Sequence, residues 1–259
     1  MKGPHVLQLL RPPAIVAVSV ALLSIGLTAC SDDDGNTELT VFAAASLTES
    51  FTTLEKAYEK DHEGVDVVLS FGSSTALAEQ VNEGSSPADV LATADENAMT
   101  VATDSDSIDG EPVQFATNTL VLVTPADNPA GIQSLDDLDG ADFVVCDPSV
   151  PCGAAAATIL DNAGLTAQPV SLEEDVKSVL DKVTLGEADA GIVYVSDATA
   201  AADEVQAIEI PSDVNVVNPY VIGVVADSDE GDDAQEWIDL VQSQAGQDVL
   251  AEAGFGSNP

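Results

Sequence analysis

Val41-Phe42-Ala43-Ala44-Ala45-Ser46-Leu47 and Ser70-Phe71-Gly72-Ser73-Ser74-Thr75-Ala76-Leu77 decide how this chain is read. Each passes from a strand-like stretch through small residues and a hydroxyl into a helical pattern. A chain built this way brings a strand end and a helix N-terminus close to a ligand. The unpaired N–H groups and the positive dipole end of such a helix suit an anion. Ser46 has Glu49 three residues later, so it also satisfies the pattern of a capping box. The two readings compete for the same hydroxyl.

Outward from these segments, strands and helices alternate. Strands are expected over 38–43, 65–71, 88–92, 119–124, 142–145 and 191–194, with an extended stretch over 214–226. Helices are expected over 47–60, 76–83, 153–162, 171–185 and 234–253, and one follows Asp95. A helical turn is expected at 135–138 and a loop over 103–111. Ser171 and Glu174 read as a second capping box. Trp237, Leu240, Val241 and Leu250 form the core face of the last helix. This alternation means an α/β sheet, with ligands beyond the carboxyl ends of the strands. Ser46, Ser74, Cys152 and Tyr194 all fall there.

Composition sets the compartment. Lys2 and Arg11 precede an apolar run from Ala14 to Leu27, followed by Leu27-Thr28-Ala29-Cys30. Residues 1–29 read as a secretory leader ending in a lipobox, with Cys30 lipidated and residues 30–37 a polar tether. The run is short of the roughly 20 apolar residues of a membrane span. Beyond the leader stand 46 acids, four lysines and no arginine, a net charge of about −42. Four lysines build no basic patch, which excludes nucleic acid as a partner. A hydrophobic content of 45% argues for a folded domain despite that charge, and adaptation to high salt explains it. The acid runs 32–34 and 227–233 read as solvated surface, without calcium-loop spacing. Cys146 and Cys152 remain as an even pair outside the cytosol and read as a disulfide. His62 is the one histidine beyond the leader, so no metal cluster is expected.

Six segments in order resemble the molybdate-binding proteins of ABC importers. They are 41–47, 71–77, Ser86-Pro87-Ala88-Asp89-Val90, Asn118-Thr119-Leu120-Val121-Leu122-Val123, Val150-Pro151-Cys152-Gly153, and Gly191-Ile192-Val193-Tyr194-Val195-Ser196-Asp197-Ala198. The resemblance implies a two-lobed, type II-like periplasmic-binding-protein fold with two crossover strands and a ligand cleft between the lobes. It divides the chain into one lobe at 38–117 plus 218–259 and another at 118–217. It implies hydroxyl contacts to the oxyanion from Ser46, Ser74 and Tyr194 and backbone amide contacts at Cys152 and Val176. Cys152 stands where the family has Ala, which spares an amide contact, and Ser73 is a weaker candidate than Ser74. On its own Tyr194 reads as a buried strand-end phenol with one partner. Asp175 reads as a first-turn helix acid. The implied partners are molybdate or tungstate, with sulfate or another tetrahedral oxyanion as the alternative, and an ABC permease. A lipid-anchored monomer on the outer face of the cytoplasmic membrane is expected, with no cofactor. No Cys–His pair and no serine with a visible base suggest an enzyme.

A chain this acidic repels itself in dilute buffer, and screening shortens the Debye length to ~3 Å at 1 M salt. Cooperative thermal unfolding is expected to be lost at low salt and restored by sodium or potassium chloride. Equal melting temperatures in dilute and molar salt, measured by calorimetry, would refute the salt-adaptation reading.

Overall fold

The computed structural model describes residues 36–257. The leader, Cys30 and most of the tether lie outside the described residues. In β1 (Thr37–Ala44), alternation of the side chains explains the layering. Leu39, Val41 and Ala43 join Phe51, Leu54 and Tyr58 of α1 (Thr48–Asp61) in the main core. Phe42 joins a smaller cluster with Leu77, Ala78 and Val81 of α2 (Ser74–Asn82) and Met99 and Ala102 of α3 (Glu96–Thr103).

Parallel strands β2 (Val65–Gly72) and β3 (Val90–Thr93) flank β1. The long β4 (Ile108–Pro125) then crosses the molecule. Its first two-thirds pair antiparallel with β9 (Val217–Val225), which also pairs with β3. Its last residues pair with β7 (Ala190–Tyr194) and β8 (Val205–Glu209). Parallel to β7 runs β5 (Phe143–Cys146), and parallel to β5 runs β6 (Ser171–Glu173). The strand order is β2-β1-β3-β9-β4-β7-β5-β6, with β8 on β4. Thus β4 and β9 link the two halves of the sheet, and Asn118 lies opposite Asn218 in their ladder. The described residues pack as one compact unit. The Asp89 carboxylate ties its parts together, taking the Thr40 N–H at 2.8 Å and the Ser228 hydroxyl at 2.6 Å.

Several expectations are corrected by long-range pairing. The loop expected over 103–111 is already strand from Ile108, because Ile108 and Asp109 pair with Val225 and Val224. Register shifts between Asp109 and Val113 and between Gln114 and Ala116 erase the two-residue alternation that would have marked it. The helix expected over 171–185 is a strand followed by a shorter helix. Ser171–Glu173 pairs with β5, and the Ser171 hydroxyl donates to Glu173 rather than forming a capping box. Helix α5 (Val176–Thr184) starts later, with Asp175 as its cap, accepting from the Ser178 N–H at 2.9 Å. The single helix expected over 234–253 is two, α7 (Gly231–Gln242) and α8 (Gln244–Glu252), broken at Ser243. There the Ser243 hydroxyl accepts from the Gly246 N–H. Between Tyr194 and the extended stretch, the short α6 (Val195–Ala200) and β8 carried no periodic signal.

The last two helices close the core. Trp237 is fully buried, with Phe51 and Tyr58 each at 5.6 Å between ring centres in edge-to-face contact. Leu240 is only partly buried, while Val241 and Leu250 are buried. Trp237→Ala is expected to cost about 3–5 kcal/mol, the range for emptying a large aromatic site. A urea midpoint unchanged at high salt would show that this contact does not hold the helices on.

Candidate anion-binding site

The expected ligand residues stand at the starts of five helices. Ser46 lies in a 3-10 turn (Ala45–Leu47) that leads into α1. Ser74 opens α2, Cys152 is the second residue of α4 (Pro151–Asn162), Val176 opens α5, and Tyr194 immediately precedes α6. First-turn amides have no acceptor within their own helix, and the dipoles point positive at this end. Pro151 suits the first position of α4 because it has no N–H to leave unpaired. All five residues line one cavity of about 20 Å³. It adjoins a wider groove of about 680 Å³, with which it shares Gly72, Ser73, Val150, Glu174 and Asp175.

Two features fix the Cys152 side of the cavity. The Cys146–Cys152 disulfide is formed, with the Cα atoms 5.7 Å apart. It folds loop 146–152 back against the start of α4 so closely that a Cβ on Gly153 would lie 1.9 Å from the Asp147 carbonyl oxygen. Only glycine fits there.

The hydroxyls are held from behind. Ser46 Oγ lies 2.7 Å from the Tyr220 hydroxyl, which replaces the capping box expected with Glu49. Leu47, not Ser46, occupies the cap position of α1 and makes no side-chain cap. Ser74 Oγ accepts the Ala94 N–H at 3.0 Å. The Tyr194 hydroxyl accepts from Asn218 Nδ2 at 3.0 Å. Ser73 Oγ is buried with no protein partner among the described residues. Burial, first, and then the nearby Tyr220, Asp95 and Asp197 push the Tyr194 phenol well above its ordinary value. Tyr220 is pushed up by burial likewise, so both rings keep their protons.

A single ammonium ties together the segments bearing three of these residues. Lys177, next to Val176, reaches Glu49 Oε1 and Oε2 at 2.8 and 2.9 Å and Asp197 Oδ1 at 3.2 Å. Glu49 follows Ser46 on α1. Asp197 follows Tyr194 and accepts its N–H at 3.3 Å. Burial works against the charge on Lys177, but Asp197 and Glu49 outweigh it and raise its pKa. Across the groove, Thr75 Oγ1 donates to the Ser149 carbonyl at 3.1 Å. Among the described residues no group of three His, Cys, Asp or Glu side chains is placed to hold a metal.

Sequence reasoning missed Tyr220, Asn218, Ala94, Lys177 and Asp197. Asn218-Pro219-Tyr220 lies in what reads as plain extended chain, and nothing local says that it backs the site. Asp175 stands as a helix cap and also borders the cavity.

A family model for bacterial extracellular solute-binding proteins matches residues 39–256. The chain belongs to this family. Within it, the molybdate-binding protein ModA of Mycobacterium tuberculosis (strain ATCC 25618 / H37Rv) is 40% identical over 247 residues, covering 91% of this chain and 94% of that protein. A Bacillus subtilis relative, the putative ABC transporter substrate-binding lipoprotein YvgL, is 28% identical, covering 93% of this chain and 96% of that protein. The Azotobacter vinelandii periplasmic molybdate-binding protein shares the fold, with a TM-score of 0.76 at 20% identity over 85% of this chain and 100% of that one. The expected α/β periplasmic-binding-protein fold is thus the observed one. This solute-binding protein is extracytoplasmic and binds rather than transforms its solute.

Within this solute-binding protein, Asp197 carries a pH signature. Burial pushes its carboxyl up to about 6 from the ordinary 3.8, with Lys177 opposing. Between these values the folded state holds a proton that the unfolded chain has released. The stability this group contributes is therefore full at the acidic end and is lost as pH rises through about 6. Asp197→Asn removes the titration. In paired melts at fixed molar salt, wild type should lose ground to the variant as pH rises from about 4 to about 6. Parallel curves would refute the assignment.

Proposed function

We propose that this protein is the receptor of an ABC importer, capturing molybdate or tungstate and delivering it to the permease. The observation that carries the reading is the convergence of five helix starts and three buried hydroxyls on one cavity in a chain with no arginine after Arg11. A tetrahedral dianion needs several converging donors, each stronger for meeting a full charge. Neutral donors on rigid elements provide them without the desolvation cost of a buried cation. Ser46, Ser74 and Tyr194 supply hydroxyls, and Cys152 and Val176 supply amides. The relationship to proteins named for molybdate binding supports the choice of anion.

Residues 38–117 with 218–259 act as one lobe and residues 118–217 as the other, with β4 and β9 as the connecting strands between them. Lys177–Glu49 and Thr75–Ser149 then span the cleft and favour the closed form. Cys30 carries the lipid that holds the receptor at the outer face of the cytoplasmic membrane, in keeping with the lipoprotein relative. It works as a monomer.

A thermal-shift titration in molar salt with molybdate, tungstate, sulfate and phosphate tests this reading. Ligand at a hundred times its dissociation constant stabilises the folded state by about 2.7 kcal/mol. Molybdate and tungstate should raise the melting temperature at the lowest concentrations. Ser46→Ala and Ser74→Ala should each lose about 1–3 kcal/mol of affinity, the worth of one hydrogen bond to a charge. A response to sulfate or phosphate alone would replace the proposed ligand, and undiminished affinity in both variants would displace the site.

A further inference from the structure

We infer that Asn218, on the crossover strand β9, is a specificity-determining positioning residue that forces the Tyr194 proton into the cavity and so turns the site against anions that carry a proton. The inference rests on the oxyanion reading above and deepens it. The hydrogen bonds leave little freedom. Asn218 Nδ2 lies 3.2 Å from the Ala94 carbonyl and 3.0 Å from the Tyr194 hydroxyl. A carbonyl oxygen only accepts, so the NH2 group, not the amide oxygen, must face it. The same NH2 then faces Tyr194, whose oxygen must accept. A phenol oxygen already occupied by a donor keeps its own proton for a different acceptor. Tyr194 lines the cavity, so that proton is available there.

Ala94 extends the arrangement to a second ligand residue. Its N–H, which only donates, meets Ser74 Oγ at 3.0 Å. One residue thus accepts from Asn218 with its carbonyl and supplies Ser74 with its amide. Tyr194 and Ser74 are each met from behind by a donor, and each keeps its own proton for the ligand. Asn218 is buried, with 4% of its surface exposed, so water does not compete for these bonds. Two carboxylates border the cavity, Glu174 and Asp175, and Asp175 spends Oδ1 on the Ser178 N–H. Molybdate and sulfate present only acceptors to such a cavity. Hydrogen phosphate brings an O–H that finds no acceptor at Tyr194, and leaving a hydrogen bond unmade is costly.

Asn218→Asp tests this at the same side-chain size, giving up the Ala94 carbonyl as a partner while keeping an atom beside the Tyr194 hydroxyl. A carboxylate oxygen at Nδ2 accepts the Tyr194 proton and reverses the phenol, which then offers a lone pair to the cavity. The added negative charge weakens all dianions together, so ratios carry the information. Competition binding at pH 8 and molar salt compares molybdate, sulfate and hydrogen phosphate on wild type and variant. The preference for molybdate over hydrogen phosphate should narrow by about tenfold, the worth of one hydrogen bond to a charged group, while the ratio of molybdate to sulfate stays fixed. Tyr194→Phe serves as a second variant with no phenol to reverse. It should weaken molybdate and sulfate alike, narrow the phosphate gap, and cancel the effect of Asn218→Asp when the two are combined. Loss of all three anions by a common factor in folded Asn218→Asp, with an unchanged phosphate ratio in Tyr194→Phe, would overturn the inference. If wild type itself shows no affinity for molybdate, the anion reading fails instead.

Discussion

A doubly charged anion can be held in this chain only by groups that carry partial charges. After residue 29 the sequence has no arginine, and its four lysines lie on two helices, with Lys177 and Lys182 both committed to carboxylates. What remains are helix dipoles, first-turn amides and hydroxyls. These act only at contact range, so they must be gathered by the backbone to within a few ångströms of one point. The α/β sheet provides for this by turning strand ends into helix starts on one side, and five such starts meet at one cavity. The surrounding groove carries Glu79, Asp147, Glu173, Glu174 and Asp175, so attraction begins only where the local dipoles exceed a repulsive rim.

The first layer of this arrangement was legible in the sequence because each of its members is a local event. A strand followed by small residues and a hydroxyl, as at 41–47 and 70–77, describes its own geometry. The pair Cys146 and Cys152 likewise needed only six residues of separation and an oxidising compartment. The second layer was not legible, because it is assembled from distance. Ser46 reads as a cap for Glu49, yet its hydroxyl meets Tyr220, 174 residues on, and Glu49 meets Lys177, 128 residues on. Ser171 failed in the same way, since pairing with β5 outweighed a respectable helical signature. Local capping rules give the default destination of a hydroxyl, and a tertiary partner of comparable strength redirects it.

The crossover strands do more than connect. Asn118 and Asn218 face each other in the ladder, and both turn buried amides toward segments beside the cavity. Asn118 donates to Ser196 beside Tyr194, and Asn218 donates to Ala94 and to Tyr194 itself. The segment linking the two halves of the sheet is therefore also the polar backing of the cavity. A shift between the halves would disturb the hydrogen bonds that orient Tyr194 and Ala94, which couples the shape of the sheet to the cavity without any separate relay.

The scarcity of basic residues has a bearing on survival outside the cell. A peptidase that requires a cationic side chain beside the scissile bond finds four candidate bonds after residue 29, at Lys56, Lys60, Lys177 and Lys182. All four lie within α1 and α5. A folded helix cannot enter a protease cleft as an extended chain, so cutting waits on local opening of elements that pack against the core. The composition that leaves the chain so poor in cations also leaves it nearly invisible to trypsin-like enzymes.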